Sequence, residues 1–117
     1  MKDIELLGNK KFAYSCFNLL KEKGCLTQEV INILTNVDQC KRLFSCSKFP
    51  ILLEVNFHDA LEDADCYDTK GRQRFYKEKV YYEERAFILS NHWYGPNKSM
   101  PDNRTPFFQW VLANINL

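Results

Sequence analysis

Arg74-Phe75-Tyr76-Lys77-Glu78-Lys79-Val80-Tyr81-Tyr82 is followed, after Glu83-Glu84, by Arg85-Ala86-Phe87-Ile88-Leu89-Ser90. Both runs are dense in aromatic and branched residues, which suit a pleated, half-buried surface. Side chains alternate across a strand, so Tyr76, Val80 and Tyr82 share one face while Phe75, Lys77, Lys79 and Tyr81 share the other. Two such runs in succession predict an antiparallel hairpin. Glu83-Glu84 is a poor two-residue type I′ turn, because neither residue favours positive φ. A wider loop or a shifted register is therefore expected.

The charge pattern changes abruptly on the way into this hairpin. Six acids and no Lys or Arg stand between Glu54 and Asp68 (Glu54, Asp59, Glu62, Asp63, Asp65 and Asp68). Six bases (Lys70, Arg72, Arg74, Lys77, Lys79 and Arg85) then stand against three acids up to Arg85. The formal charge of the whole chain, +1, conceals this asymmetry.

Beyond the hairpin, 91–104 contains Gly95, Pro96, Pro101 and several Asn residues, and reads as an ordered loop onto which Trp93 tucks back. Thr105-Pro106 predicts a helix start, a cap followed by proline at the first helical position. Phe107, Phe108, Val111, Leu112 and Ile115 give that closing helix an apolar surface through about Asn114, with Trp93, Phe108 and Trp110 assigned to packing.

Three helices are predicted upstream. Phe12, Cys16, Leu19 and Leu20 repeat at helical spacing within 10–23, and Gly24 stops the run. Thr27 caps a second helix through about Asn36, burying Val30, Ile31 and Leu34. Asp38 is the expected cap of a third helix through Phe44, burying Cys40, Leu43 and Phe44. The apolar run 49–55 has no decisive period; Pro50 at a first turn favours a short helix there over a strand. The acidic residues that follow are expected in a loop.

The chain has 117 residues, 45% of them hydrophobic and 15% aromatic, ample material for one domain over 1–117 and incompatible with disorder. No stretch approaches the ~20 apolar residues of a membrane-crossing helix. Met1–Glu5 leads into Lys10-Lys11 without a secretory apolar region, so a cytoplasmic location is expected. Five cysteines, an odd number, at 16, 25, 40, 46 and 66 argue for free thiols, and their spacing lacks the close pairs of a zinc site. No metal or other cofactor is expected.

Three short helices, a fourth element and a basic hairpin resemble the order of a winged-helix domain, a helix-turn-helix with a β wing. The residues that carry the likeness are Phe12–Leu20, Val30–Leu34, Cys40–Phe44 and the hairpin Phe75–Leu89. Leu43-Phe44, Phe49-Pro50-Ile51-Leu52, Arg74-Phe75-Tyr76 and Asn91-His92-Trp93-Tyr94 are also similar to small modules of bacterial restriction, defence or mobile-element proteins. The resemblance implies an α+β fold and binding of nucleic acid, DNA first, with RNA an alternative ligand.

On that reading Arg72, Arg74, Lys77 and Lys79 contact phosphates from the hairpin, and Lys41, Arg42 and Lys48 do so on or after the third helix. Arg74→Ala with Lys77→Ala then weakens binding and flattens its salt dependence. The alternative is a protein-interaction module, of a phage, defence or regulatory system, whose acidic Asp59, Glu62, Asp63 and Asp65 engage a basic partner.

Catalysis is not expected. Lys77-Glu78-Lys79 lacks the spacing of a restriction-type nuclease, Asp63-x-Asp65 lacks the rest of a calcium loop, and no phosphate-cradling Gly-rich loop is present. No small-molecule substrate is expected either.

Overall fold

The computed structural model describes residues 2–46 and 48–116. Among these, a 3₁₀ turn (Lys2–Leu6) precedes α1 (Asn9–Glu22), α2 (Gln28–Leu34), α3 (Val37–Phe44), β1 (Leu52–Val55), α4 (Asp63–Cys66), β2 (Phe75–Tyr82), β3 (Arg85–Ser90) and α5 (Arg104–Ile115). The architecture is α+β, with five α-helices and one antiparallel sheet of order β1-β3-β2.

Local chemistry sets the helix ends. The α1 helix closes where Gly24 adopts φ +70°, with Gly24 N donating to Lys21 O and Cys25 N to Leu20 O. These two bonds form a Schellman closure, which a residue with a Cβ fits poorly. Thr27 Oγ1 caps α2 by accepting from Val30 N at 3.2 Å, as its position predicts.

The α3 cap is Asn36, whose Oδ1 accepts from Gln39 N at 2.9 Å. Asp38, the expected cap, instead lies in the first turn, where its charge still favours the helix dipole. Leu43, expected inside, is 40% exposed, while Cys40 and Phe44 are buried. The i, i+4 line Cys40–Phe44 faces the core, and Leu43, one position before Phe44, is turned about 100° from it.

The α5 helix begins at Arg104 rather than after Thr105: Asp102 Oδ1 accepts from Thr105 N at 2.9 Å. Pro106 still falls in the first turn, where no intrahelical N–H is required.

The segment expected as a helix at 49–55 contains a strand. Leu52–Val55 pairs with β3 in the register Leu52↔Leu89, Leu53↔Ile88, Glu54↔Phe87 and Val55↔Ala86. One edge of β3 would otherwise expose unpaired backbone groups, and tertiary pairing there outweighs an indecisive local preference.

The hairpin itself follows its sequence, but its turn is tight. Tyr82 pairs with Arg85, so Glu83-Glu84 is a two-residue connection, entered with Glu83 at φ +53°. The register shift lies elsewhere, between Phe75 and Lys79.

The sheet is covered on both faces. Leu52, Val80, Phe87 and Leu89 join the helices in a large cluster that includes Phe12, Phe17, Phe44, Trp93, Phe107 and Phe108. Phe75 and Ile88 form a second cluster with Cys66, lined by Phe49, Leu53, Leu61 and Tyr67. The chain between β1 and β2 therefore folds back as a lid over the second face, with α4 replacing part of the expected acidic loop. Burial on both sides explains the unbroken apolar run Ala86-Phe87-Ile88-Leu89.

Candidate nucleic-acid interface

The acidic and basic stretches meet each other. Arg74 Nε donates to Asp68 Oδ2 at 2.8 Å, Arg74 Nη1 lies 2.5 Å from His92 Nε2, and the guanidinium sits 5.1 Å from the Phe49 ring centre. The other Asp68 oxygen accepts from the backbone amides of Lys70 and Arg72, both at 2.9 Å. The Arg72 amide and the Arg74 side chain hold the Asp68 carboxyl down at about 2. Burial, and then the Arg74 charge, lower the His92 pKa, favouring neutral imidazole beside the guanidinium.

Lys77 and Lys79 face the same lid. The Lys77 ammonium lies 4.9 Å from the Tyr67 ring centre and 3.6 Å from Asp63 Oδ1, and Tyr67 raises its pKa. Lys79 Nζ donates to the backbone carbonyls of Asn56 at 2.6 Å, Phe57 at 3.4 Å and Asp59. Asn56 Oδ1 shapes that carbonyl cluster by accepting from the amides of His58 and Asp59, each at 2.8 Å. Asp65 is occupied too, its Oδ2 accepting from Glu62 N at 3.0 Å. The Asp59, Glu62 and Asp63 side chains remain at the surface.

Arg85 links three elements. Its Nε and Nη2 grip both Glu54 oxygens at 2.9 and 2.8 Å, and Nη1 donates to Gln28 Oε1 at 3.0 Å. That fork lowers the Glu54 pKa.

Four of the seven predicted phosphate contacts stand apart from these pairs. Lys41 and Arg42 are exposed on α3, and Arg42 Nη2 is steadied by Gln39 Oε1 at 2.7 Å. Lys48 and Arg72 are also exposed. None of the four forms an ion pair within 4 Å among the described residues. The structure does not gather them into one patch: α3 packs through Cys40 and Phe44 on the helical side of the sheet, whereas Arg72 belongs to the lid on the other.

The α2 and α3 helices are joined by a short turn. Thr35 and Asn36 alone separate the two helices, and the eight-residue α3 presents Val37, Lys41, Arg42 and Leu43 outward. An α-helix with its side chains is about 10–12 Å across, which fits the ~12 Å width of a DNA major groove.

Sequence reasoning gave no role to Arg104. Its guanidinium lies 4.2 Å from the Phe12 ring centre and donates to Asn9 Oδ1, Glu5 O and Leu7 O at 2.8, 3.1 and 2.7 Å. It borders the groove between the N-terminal turn, the loop after β3 and α5. These partners lie more than 90 residues away along the chain, beyond the reach of any spacing rule.

Burial pushes the thiols of Cys16, Cys40 and Cys46 up to about 12, 11 and 12, and no disulfide joins the described cysteines. Among the described residues no group of three or more His, Cys, Asp or Glu could hold a metal ion, and no helix is long and apolar enough to cross a membrane. No protein-family model, curated protein or solved structure matches the chain.

Proposed function

We propose that the chain is a winged-helix-like protein that binds nucleic acid, DNA foremost, without a catalytic step, and that α3 rather than the hairpin makes the principal contact. The observation that carries this reading is the adjacent pair Lys41 and Arg42, exposed on α3, the second of two helices joined by two residues, and unpaired with any described carboxylate. Lys48, four residues past the end of α3, is a further exposed base. The hairpin bases Arg74, Lys77 and Lys79 have intramolecular partners, so they serve chiefly to hold the lid. Electrostatic binding of this kind releases counterions and weakens steeply as salt rises.

The test is fluorescence anisotropy of labelled duplex DNA, single-stranded DNA and RNA at low and physiological salt, comparing Lys41→Ala/Arg42→Ala with the unaltered chain. Losing two phosphate contacts lowers the magnitude of the log–log salt slope on duplex DNA by about 2. Absence of binding at low salt, or an unchanged slope in the double variant, rejects the reading.

One observation favours a protein partner as a second reading. Phe57 and Tyr81 are 36% and 42% exposed and pack edge-to-face 5.7 Å apart, beside the Asp59 end of the lid. Exposed aromatic anchors with a neighbouring acid suit a basic protein surface. Retention of a purified partner by the unaltered chain and its loss in Phe57→Ala/Tyr81→Ala would favour this reading.

A further inference from the structure

The groove at Arg104 has a volume of about 820 Å³, within the range of small-molecule sites. Its walls include Leu6, Tyr94 and Pro96, and its floor is formed by Phe12 with the Arg104 guanidinium laid over it. Leu6 is 85% exposed, so the rim already offers apolar surface to a ligand.

The charge of Arg104 has no counter-ion among the described residues. All three of its hydrogen-bond acceptors are neutral, two backbone carbonyls and an Asn side chain. These use three of the five guanidinium N–H groups, leaving two donors. Tying α5 to the N-terminal turn needs donors, and the described acceptors that Arg104 meets there are all uncharged. Lys98 adds a second positive charge to the lining, against the single acid Glu5. A guanidinium fixed by three bonds and an aromatic face is preorganised, so an anion meets it without first ordering a long side chain.

We propose that this groove binds an anion carried on a flat ring, the anion at Arg104 and Lys98 and the ring against Tyr94, Pro96 and Leu6. Nucleotides and aromatic carboxylates share that chemistry. The proposal is independent of the α3 surface and stands or falls separately from it.

Amide NMR titrations of the full chain with adenosine 5′-monophosphate and with indole-3-acetate test it, with adenosine and inorganic phosphate as the two halves of the first probe. Saturable shifts confined to residues 93–98, 104–105 and the Trp93 indole, with a Kd below about 1 mM for either probe, are expected. Response to the nucleotide alone, to the carboxylate alone, or to both identifies the source while supporting the shared class. Lys98→Glu, at an exposed position, weakens the bound probe by ~3–10-fold, corresponding to loss of one partly screened charge contact. Arg104→Lys weakens it further if the variant folds; Lys98→Glu carries the test if it does not. Failure of both probes to shift these residues, or adenosine binding as tightly as its monophosphate with Lys98→Glu unchanged, overturns the proposal.

Discussion

Asp68 binds Arg74 with one carboxylate oxygen and the amides of Lys70 and Arg72 with the other, so one side chain joins the lid to the start of the hairpin. Asp68→Ala removes both acceptor oxygens, and with them all three hydrogen bonds, and leaves Arg74 half-buried without its anion. The expected result is local opening of 59–74 while the helical cluster stays folded. Hydrogen exchange should show faster amides at 70–74, and Cys66, buried on the inner side of the lid, should become open to alkylation. Unchanged protection at both places would remove Asp68 from this role.

The same contact makes the lid sensitive to acid. Asp68 has a folded pKa of about 2, against an ordinary value of 3.8. Its contribution is present above the unfolded value and is lost as pH falls through 3.8 towards 2. His92 is lowered from 6.5 in the folded chain, so the unfolded chain takes up its proton first. The neutral-His contribution is present above 6.5 and declines as pH falls from there towards the folded value. Both groups make acid destabilising. In urea titrations across this range, His92→Gln should flatten the upper part of the decline and Asp68→Asn the lower. Identical pH profiles for all three proteins would contradict the assignment.

Glu83 occupies a left-handed conformation that costs a non-glycine residue about 1 kcal/mol. Glu83→Gly relieves that cost but adds flexibility to the unfolded chain, for a net gain of about 0.5 kcal/mol. A higher urea midpoint at unchanged slope would show it; a lower midpoint would mean that the Glu83 side chain stabilises the turn.

Phe87 is fully buried in the central strand. Phe87→Ala should cost ~3–5 kcal/mol through lost burial and a cavity. Phe57→Ala, at an exposed ring, should cost under about 1 kcal/mol. Equal losses in chemical denaturation would refute the distinction between the sheet core and the lid tip.

Native alkylation offers a separate check on the core. Cys25 is partly exposed, whereas Cys16, Cys40, Cys46 and Cys66 are buried, the first three with strongly raised pKa values. At neutral pH iodoacetamide should modify Cys25 first, with the others following only on unfolding. Peptide mass spectrometry showing early modification of Cys16 or Cys40 would contradict their burial.

The hairpin, the apolar face of α1 and the Thr27 cap were legible because each rests on residues a few positions apart. The 49–55 strand was not, since its identity comes from β3, whose pairing partners begin at Ala86. The acidic and basic runs were each visible, but Asp68–Arg74 and Asp63–Lys77 form only when α4 and the lid return to the sheet. Exposed charge and mutually satisfied charge look alike in one dimension. For that reason the basic character of the hairpin was legible, whereas the intramolecular partners of Arg74, Lys77 and Lys79 were not. Lys41 and Arg42 stay exposed because α3 turns Cys40 and Phe44 inward.

The middle position of β3 has a consequence for biosynthesis. Helices α1–α3 leave the ribosome before the strand that supplies Phe87 and Leu89 to their apolar floor, and Arg104 fastens residues 5–9 only after that. β2 and β3 can zip through their two-residue turn at once, but β1 must wait for a partner more than 30 positions downstream. A nascent chain halted before residue 86 thus exposes both halves of an unfinished core, and a chaperone would engage that species rather than the finished protein.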